Sequence, residues 1–179
     1  RVMNGRVFGL VLAFSMSIAP VAAAQDVAVA GALTGHVVIA DGDLGGGAMA
    51  DVWARIDWLR LGGFLGVSSV SSPRDSHNRI AMPIGVSVAF VLDTGLVELQ
   101  LRLRGGLWGG ATQEVKLTAG GFVGGAPYLM FDLGGGVSLG AGVEVGGILG
   151  EGETWAVAPG LSLSWGAVPE LEPVGDVVE

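Results

Sequence analysis

The 179-residue chain contains no cysteine, so neither a disulfide framework nor a thiolate metal site contributes to its fold. Charge is scarce too: Asp, Glu, Lys and Arg make up 15% of the residues, against about 25% in ordinary soluble domains. Only two histidines occur, His36 and His77, which leaves little material for acid–base chemistry. Half the chain is hydrophobic, yet after the N-terminal segment no run is long and apolar enough for a spanning helix. These shortages argue against a disulfide-stapled domain and against a helical membrane protein. Seventeen acids against nine bases give the chain no electrostatic reason to seek nucleic acid.

What the chain has in abundance is glycine, 33 residues spread through extended segments without a collagen-like period. Its first segment reads as an address. Arg1 and Arg6 precede an apolar run that leads to Pro20 and Ala22-Ala23-Ala24, the layout of a secretory signal peptide over 1–24 with cleavage after Ala24.

From residue 25 to 165 the sequence alternates with the period of a β-strand. "TWAVAPGLSLSW" sets Trp155, Val157, Pro159, Leu161, Leu163 and Trp165 on one side and small residues on the other. The same division recurs from 27 to 39, where Val29, Leu33 and Val37 oppose Ala30, Thr34 and His36. It recurs in Val52/Asp51-Trp53, Leu61/Arg60-Phe64, Val86/Ser87, Leu101/Arg102, Leu129/Tyr128 and Val143/Glu144. Eight such strands predict an all-β, eight-stranded antiparallel up-and-down barrel. "DGDLGGG", "SSPRDSHN", "DTG" and "GGATQE" read as turns or loops. The pairs Gly120-Gly121 and Gly124-Gly125 could hide a bulge in the sixth strand.

Faces assigned by their large apolar residues place every strand charge on the opposite side: Asp51, Arg55, Asp57, Arg60, Arg79, Glu98, Arg102, Arg104, Lys116 and Glu144. A continuous uncharged band with small or polar residues behind it is the pattern of a transmembrane barrel, in which an Arg or Lys at mid-depth of the band would cost roughly 2–4 kcal/mol. The greasy face is therefore expected outward, against lipid. With the N-terminus in the periplasm, Trp58, Phe90, Phe131 and Trp165 fall near the periplasmic strand ends and Trp155 at the opposite rim, an expected aromatic girdle. The longer polar connections then fall outside and the short "DTG" turn inside.

The leader, the eight amphipathic glycine-rich strands and the outward aromatics together resemble the small outer-membrane β-barrel proteins of Gram-negative bacteria, similar in architecture to the OmpA transmembrane domain and OmpX. The resemblance covers about 25–165 and implies residence in the outer membrane, with outer-membrane lipid and the outer-membrane assembly machinery as partners. Residues 166–179, acidic and containing proline, read as a disordered periplasmic tail.

Inside such a barrel, strands two to five direct Asp51, Arg55, Asp57, Arg60, Arg79, Glu98, Gln100, Arg102 and Arg104 inward, while the remaining walls carry mostly Gly, Ala and Ser. Glu144 is expected to meet Arg102 or Arg104 across the barrel, in an ionic network that closes the lumen. Catalysis is not expected: His36 lies on an inward face, and His77 beside Ser76 and Asp75 cannot easily converge with them into a triad. No metal site and no cofactor are expected. The function this predicts is a structural or surface-interaction role in the outer membrane. The alternatives are a small pore or conduit for a small or hydrophobic solute, and a soluble secreted ligand-binding barrel.

Overall fold

The computed structural model describes residues 28–72, 77–95, 97–112, 117–150 and 154–166. The predicted leader and all but the first residue of the predicted tail lie outside the described residues. Eight strands run β1 (Ala28–Ala40), β2 (Asp43–Ile56), β3 (Leu59–Ser72), β4 (His77–Asp93), β5 (Val97–Thr112), β6 (Leu117–Gly134), β7 (Val137–Gly150) and β8 (Thr154–Gly166). Each pairs antiparallel with its sequence neighbours, and β1 pairs with β8 to close the barrel. Closure leaves no free sheet edge. Among the described residues no helix is long and apolar enough to cross a membrane.

Alternation within each strand sets inside against outside. Along β1, Ala30, Ala32, Thr34, His36 and Val38 are buried while Val29, Leu33, Val37 and Ile39 are exposed. The outer surface is a band of Leu, Val, Ile, Phe and Trp that reaches 65% exposure at Leu161. Trp58, Phe90, Phe131, Trp155 and Trp165, the residues expected to form a girdle, are all exposed. Trp58 and Phe90 stack with centroids 5.9 Å apart.

The connections are short because their residues suit tight reversals. Asp41 and Gly42 both take positive φ, 52° and 86°, as a two-residue turn matched to right-handed strand twist requires. Beyond Asp93, the Gly95 amide donates to Asp93 Oδ1 at 2.7 Å, an Asx-type turn.

Several sequence expectations are corrected here. The "DGDLGGG" reversal is confined to Asp41-Gly42, and Leu44–Gly47 belong to β2, paired with both β1 and β3. "SSPRDSHN" is strand at both its ends, where Ser71 pairs with Asn78 and Ser72 with His77, while residues 73–76 lie outside the described residues. "GGATQE" likewise begins inside β5. The connections span two to four residues at one end and two or three at the other, so the expected contrast between long outer and short inner loops is slight. The glycine pairs of β6 hold no bulge; its register against β7 shifts instead between Asp132 and Gly134. Asp57, expected in the lumen, is exposed at φ 53° in the β2–β3 turn. The inward parity of β2 stops where the chain leaves the sheet at Ile56.

Candidate functional site

The lumen is filled in layers that follow the inward residues of β5, namely Glu98, Gln100, Arg102 and Arg104. Nearest the β4–β5 turn, the Arg60 guanidinium donates to both oxygens of Glu98, at 2.8 and 3.0 Å. The Gln100 amide nitrogen also donates to Glu98. Arg55 is half-buried and lines, with Arg60, a cavity of about 170 Å³ at this end.

The next layer is built on Arg102, whose relative exposure is 0%. Nε donates to Gln100 Oε1 at 2.8 Å, and Nη1 to Ser162 Oγ at 2.9 Å and Thr34 Oγ1 at 3.2 Å. Nη2 lies 3.9 Å from the Met130 sulfur. The guanidinium carbon stands 4.2 Å from the Tyr128 ring centroid and 5.3 Å from that of Trp53, close enough for cation–π attraction. Trp53 Nε1 donates to Ser87 Oγ at 3.0 Å.

One step further along β5, Arg104 bridges two carboxylates on opposite walls. Nε and Nη2 reach Asp51 Oδ1 and Oδ2 at 3.1 and 2.6 Å, and Nη1 reaches Glu144 Oε2 at 2.6 Å. Asp51 is 0% and Glu144 3% exposed. The two-pronged contact to Asp51 is the geometry that makes arginine–carboxylate pairs strong. Phe64 and Phe122 pack across the lumen with centroids 5.5 Å apart, and the Arg104 guanidinium lies 5.9 Å from the Phe64 centroid. Beyond this layer, toward the β1–β2 turn, lies a cavity of about 130 Å³.

Of the residues read as a lumen charge network, Asp51, Arg104 and Glu144 come together in one cluster and Arg60 with Glu98 in another. Arg102 makes no direct hydrogen bond to either cluster's carboxylates; it sits between them and is linked to Glu98 through Gln100. Arg79 holds its register on β4 opposite Val70 and Thr112, but its side chain, like that of Lys116, lies outside the described residues. Thr34, Ser162, Trp53, Tyr128 and Met130 were not singled out from sequence, although their parity places all five inward. The available signal was a hydroxyl or an aromatic facing a lumen that also holds an otherwise unmatched arginine.

Among the described residues no group of three or more His, Cys, Asp or Glu is placed to hold a metal ion. His36 and Glu144 both border the cavity of about 130 Å³. His36 Nδ1 and Glu144 Oε1 have no hydrogen-bond partner among the described residues.

No family model matches the sequence, and no curated protein matches it either. Solved structures do match the fold. Neisserial surface protein A superposes with a TM-score of 0.61 at 14% identity, over 79% of this chain and 97% of its own. Ail, the attachment invasion locus protein of Yersinia pestis, gives 0.53 at 10% identity, over 79% and 97%. The outer membrane enzyme PagL gives 0.52 at 10% identity, over 75% and 98%. At such identities the likeness is one of architecture: this chain has the fold of the small eight-stranded outer-membrane barrels.

Proposed function

We propose that this chain is an outer-membrane β-barrel of a Gram-negative bacterium, exported by its N-terminal leader and serving a structural or surface-interaction role, with a lumen closed by its own side chains. The membrane reading is supported by the outward band, where residues such as Leu161, Leu44 and Leu133 are more than 60% exposed. A soluble chain has no reason to turn so much continuous apolar surface to water.

The observation that carries the closed lumen is the Arg104 bridge between Asp51 and Glu144. It spans from β2 through β5 to β7, and Arg102 fills the layer beside it. An open aqueous conduit would instead leave its charges hydrated and without fixed partners. Nor does the interior favour an acid–base enzyme, because among the described residues no acceptor orients the His36 ring through Nδ1.

Reconstitution into planar lipid bilayers tests the proposal. The expected result is insertion without stepwise conductance. Discrete, ion-selective steps from the unmodified chain would remove the closed-lumen reading and favour the conduit. A chain that stays soluble and monodisperse without detergent would remove the membrane reading.

A further inference from the structure

Pairs are missing from the interior of three ladders, and each interruption contains a proline. Between β3 and β4 it falls at Gly66–Pro83, between β6 and β7 at Pro127–Val143, and between β1 and β8 at Val37–Pro159 and Val38–Ala158. Proline has no N–H to donate to a ladder. In the wall of a membrane barrel, the carbonyl that loses this donor has no water to replace it. Two of the interruptions flank the β7–β8 hairpin at one level, because Val143 pairs with Pro159 across it. There the hairpin is held to its neighbours by fewer bonds than the unbroken β2–β3 and β4–β5 ladders provide.

The lumen sides of the three interruptions differ. Pro83 is itself inward and buried, and a Cβ on Gly66 would lie 2.9 Å from Met49 and 3.2 Å from Pro83, so the space there is taken. Behind the β6–β7 interruption, Ala126 is 0% exposed and packs with Tyr128 and Met130. Behind the β1–β8 interruption, Val38 and Ala158 cluster with Ala40, Val70 and Ala156, and all five line the cavity of about 130 Å³. On the outer face of the same interruption, Val37 and Pro159 are both exposed. Only here does a missing ladder bond separate an apolar outer surface from unfilled apolar space.

The side chains on the β1–β8 side of this cavity offer no polar partner to a water, and water needs two to four. An apolar cavity of about 150 Å³ holds a benzene molecule, so this one takes the last few carbons of a chain and not a whole lipid. We propose that the end of a hydrocarbon chain of the surrounding lipid passes between β1 and β8 at Val37–Pro159 and occupies this cavity. The inference rests on the membrane reading above and adds a lateral entry to it. The Arg104 bridge borders the cavity through Glu144, which makes the entry a dead end and not a conduit.

The test uses the folded barrel in dimyristoylphosphatidylcholine nanodiscs, deuterated except at its Ala and Val methyls, and reads nuclear Overhauser cross-peaks from lipid chain protons and from water. Val37 and Val157 on the outer face should receive chain cross-peaks in any bilayer. Val38 and Ala158 on the inner face are expected to receive them as well, while Ala32 and Ala89, buried behind unbroken ladders, receive none. Pro159→Val supplies the missing N–H and is expected to abolish the chain cross-peaks at Val38 and Ala158, its new amide being protected from hydrogen exchange. Ala156→Leu fills the cavity from within, leaves the β1–β8 ladder as it is, and is expected to cause the same loss, so a Pro159→Val chain that fails to fold does not prevent a decision. Absence of chain cross-peaks at Val37 and Val157 would remove the membrane reading, and this proposal with it. Chain cross-peaks confined to the outer face, water cross-peaks in their place at Val38 and Ala158, or inner cross-peaks that survive either substitution overturn the lateral entry alone.

Discussion

The Arg102 guanidinium carbon lies 4.2 Å from the centre of the Tyr128 ring, and the hydrogen bonds of this buried cation all go to neutral acceptors. Its charge is therefore held by an aromatic face, two hydroxyls and an amide. Lysine lacks the planar surface and the spread of donors that this needs. Arg102→Lys is expected to destabilise the barrel by about 1–3 kcal/mol despite keeping the charge, the range for hydrogen-bonded charge lost in a buried site. Combined with Tyr128→Leu in a double-mutant cycle, it should show a coupling of about 1–2 kcal/mol, as expected for a desolvated cation–π pair. Denaturant unfolding from lipid bilayers gives both numbers, and additive effects would mean that the ring and the cation do not interact.

Arg104 shares its charge unevenly between its two carboxylates, which predicts a ranking. Arg104→Ala strands both Asp51 and Glu144 and should be the most damaging, at least about 3–5 kcal/mol. Asp51→Ala removes the two-pronged partner and should follow. Glu144→Ala should be mildest, because Arg104 keeps Asp51. Equilibrium unfolding of the three variants orders them, and a Glu144→Ala cost equal to that of Arg104→Ala would contradict the shared-charge geometry.

The outward band predicts opposite results in the two possible solvents. Leu161 is 65% exposed, so Leu161→Arg on a water-facing surface would be nearly neutral, within about 0.5 kcal/mol. In a bilayer it should cost roughly 2–4 kcal/mol at mid-depth. Val86→Arg on β4 should behave likewise. Refolding yield and unfolding free energy in bilayers measure the difference.

Glycine positions separate those that accommodate a neighbour from those that do not. A Cβ on Gly142 would lie 2.5 Å from Tyr128 Cδ1 and closer still to the Pro127 carbonyl oxygen, whereas one on Gly35 would meet nothing within 4 Å. Gly142→Ala is expected to cost about 1–3 kcal/mol through overpacking, and Gly35→Ala to be neutral or slightly stabilising. Thermal or denaturant unfolding of the pair checks the contrast.

Much of this molecule was legible in its sequence, because a strand has a period of two and the outward face contains no charge. Once Val86 or Leu101 is assigned outward, Ser87 and Arg102 must point inward. Parity says nothing about which inward residues meet across a barrel, since that depends on strand tilt and stagger. For that reason Glu144 could be matched with Arg102 or Arg104 but not with one of them, and Asp51 was not recognised as the second acid on Arg104. Glycine misled at Gly45–Gly47, where it reads as a turn. At Gly47 the small residue is needed because a Cβ would come within 2.6 Å of His36 Nε2. The same logic sets Gly142 opposite Tyr128 and Gly31 opposite Trp165, so glycine here marks where a large neighbour lies.

The seam between β1 and β8 implies an order of events. Every other strand pairing joins consecutive hairpin partners, which form early because their loops are short. Thr34 and Ser162 are 128 residues apart in the chain and meet across the seam at 3.0 Å, and both accept from Arg102 on β5. This three-way contact cannot exist in an open sheet, because it needs the first strand, the last strand and the far wall at once. Arg102 therefore acts as a latch that engages only when the final strand arrives. Its contacts with Gln100 on β5 and Tyr128 on the adjacent β6 need no closed seam, so closure adds the two hydroxyls to a cation that the β5–β6 wall already holds.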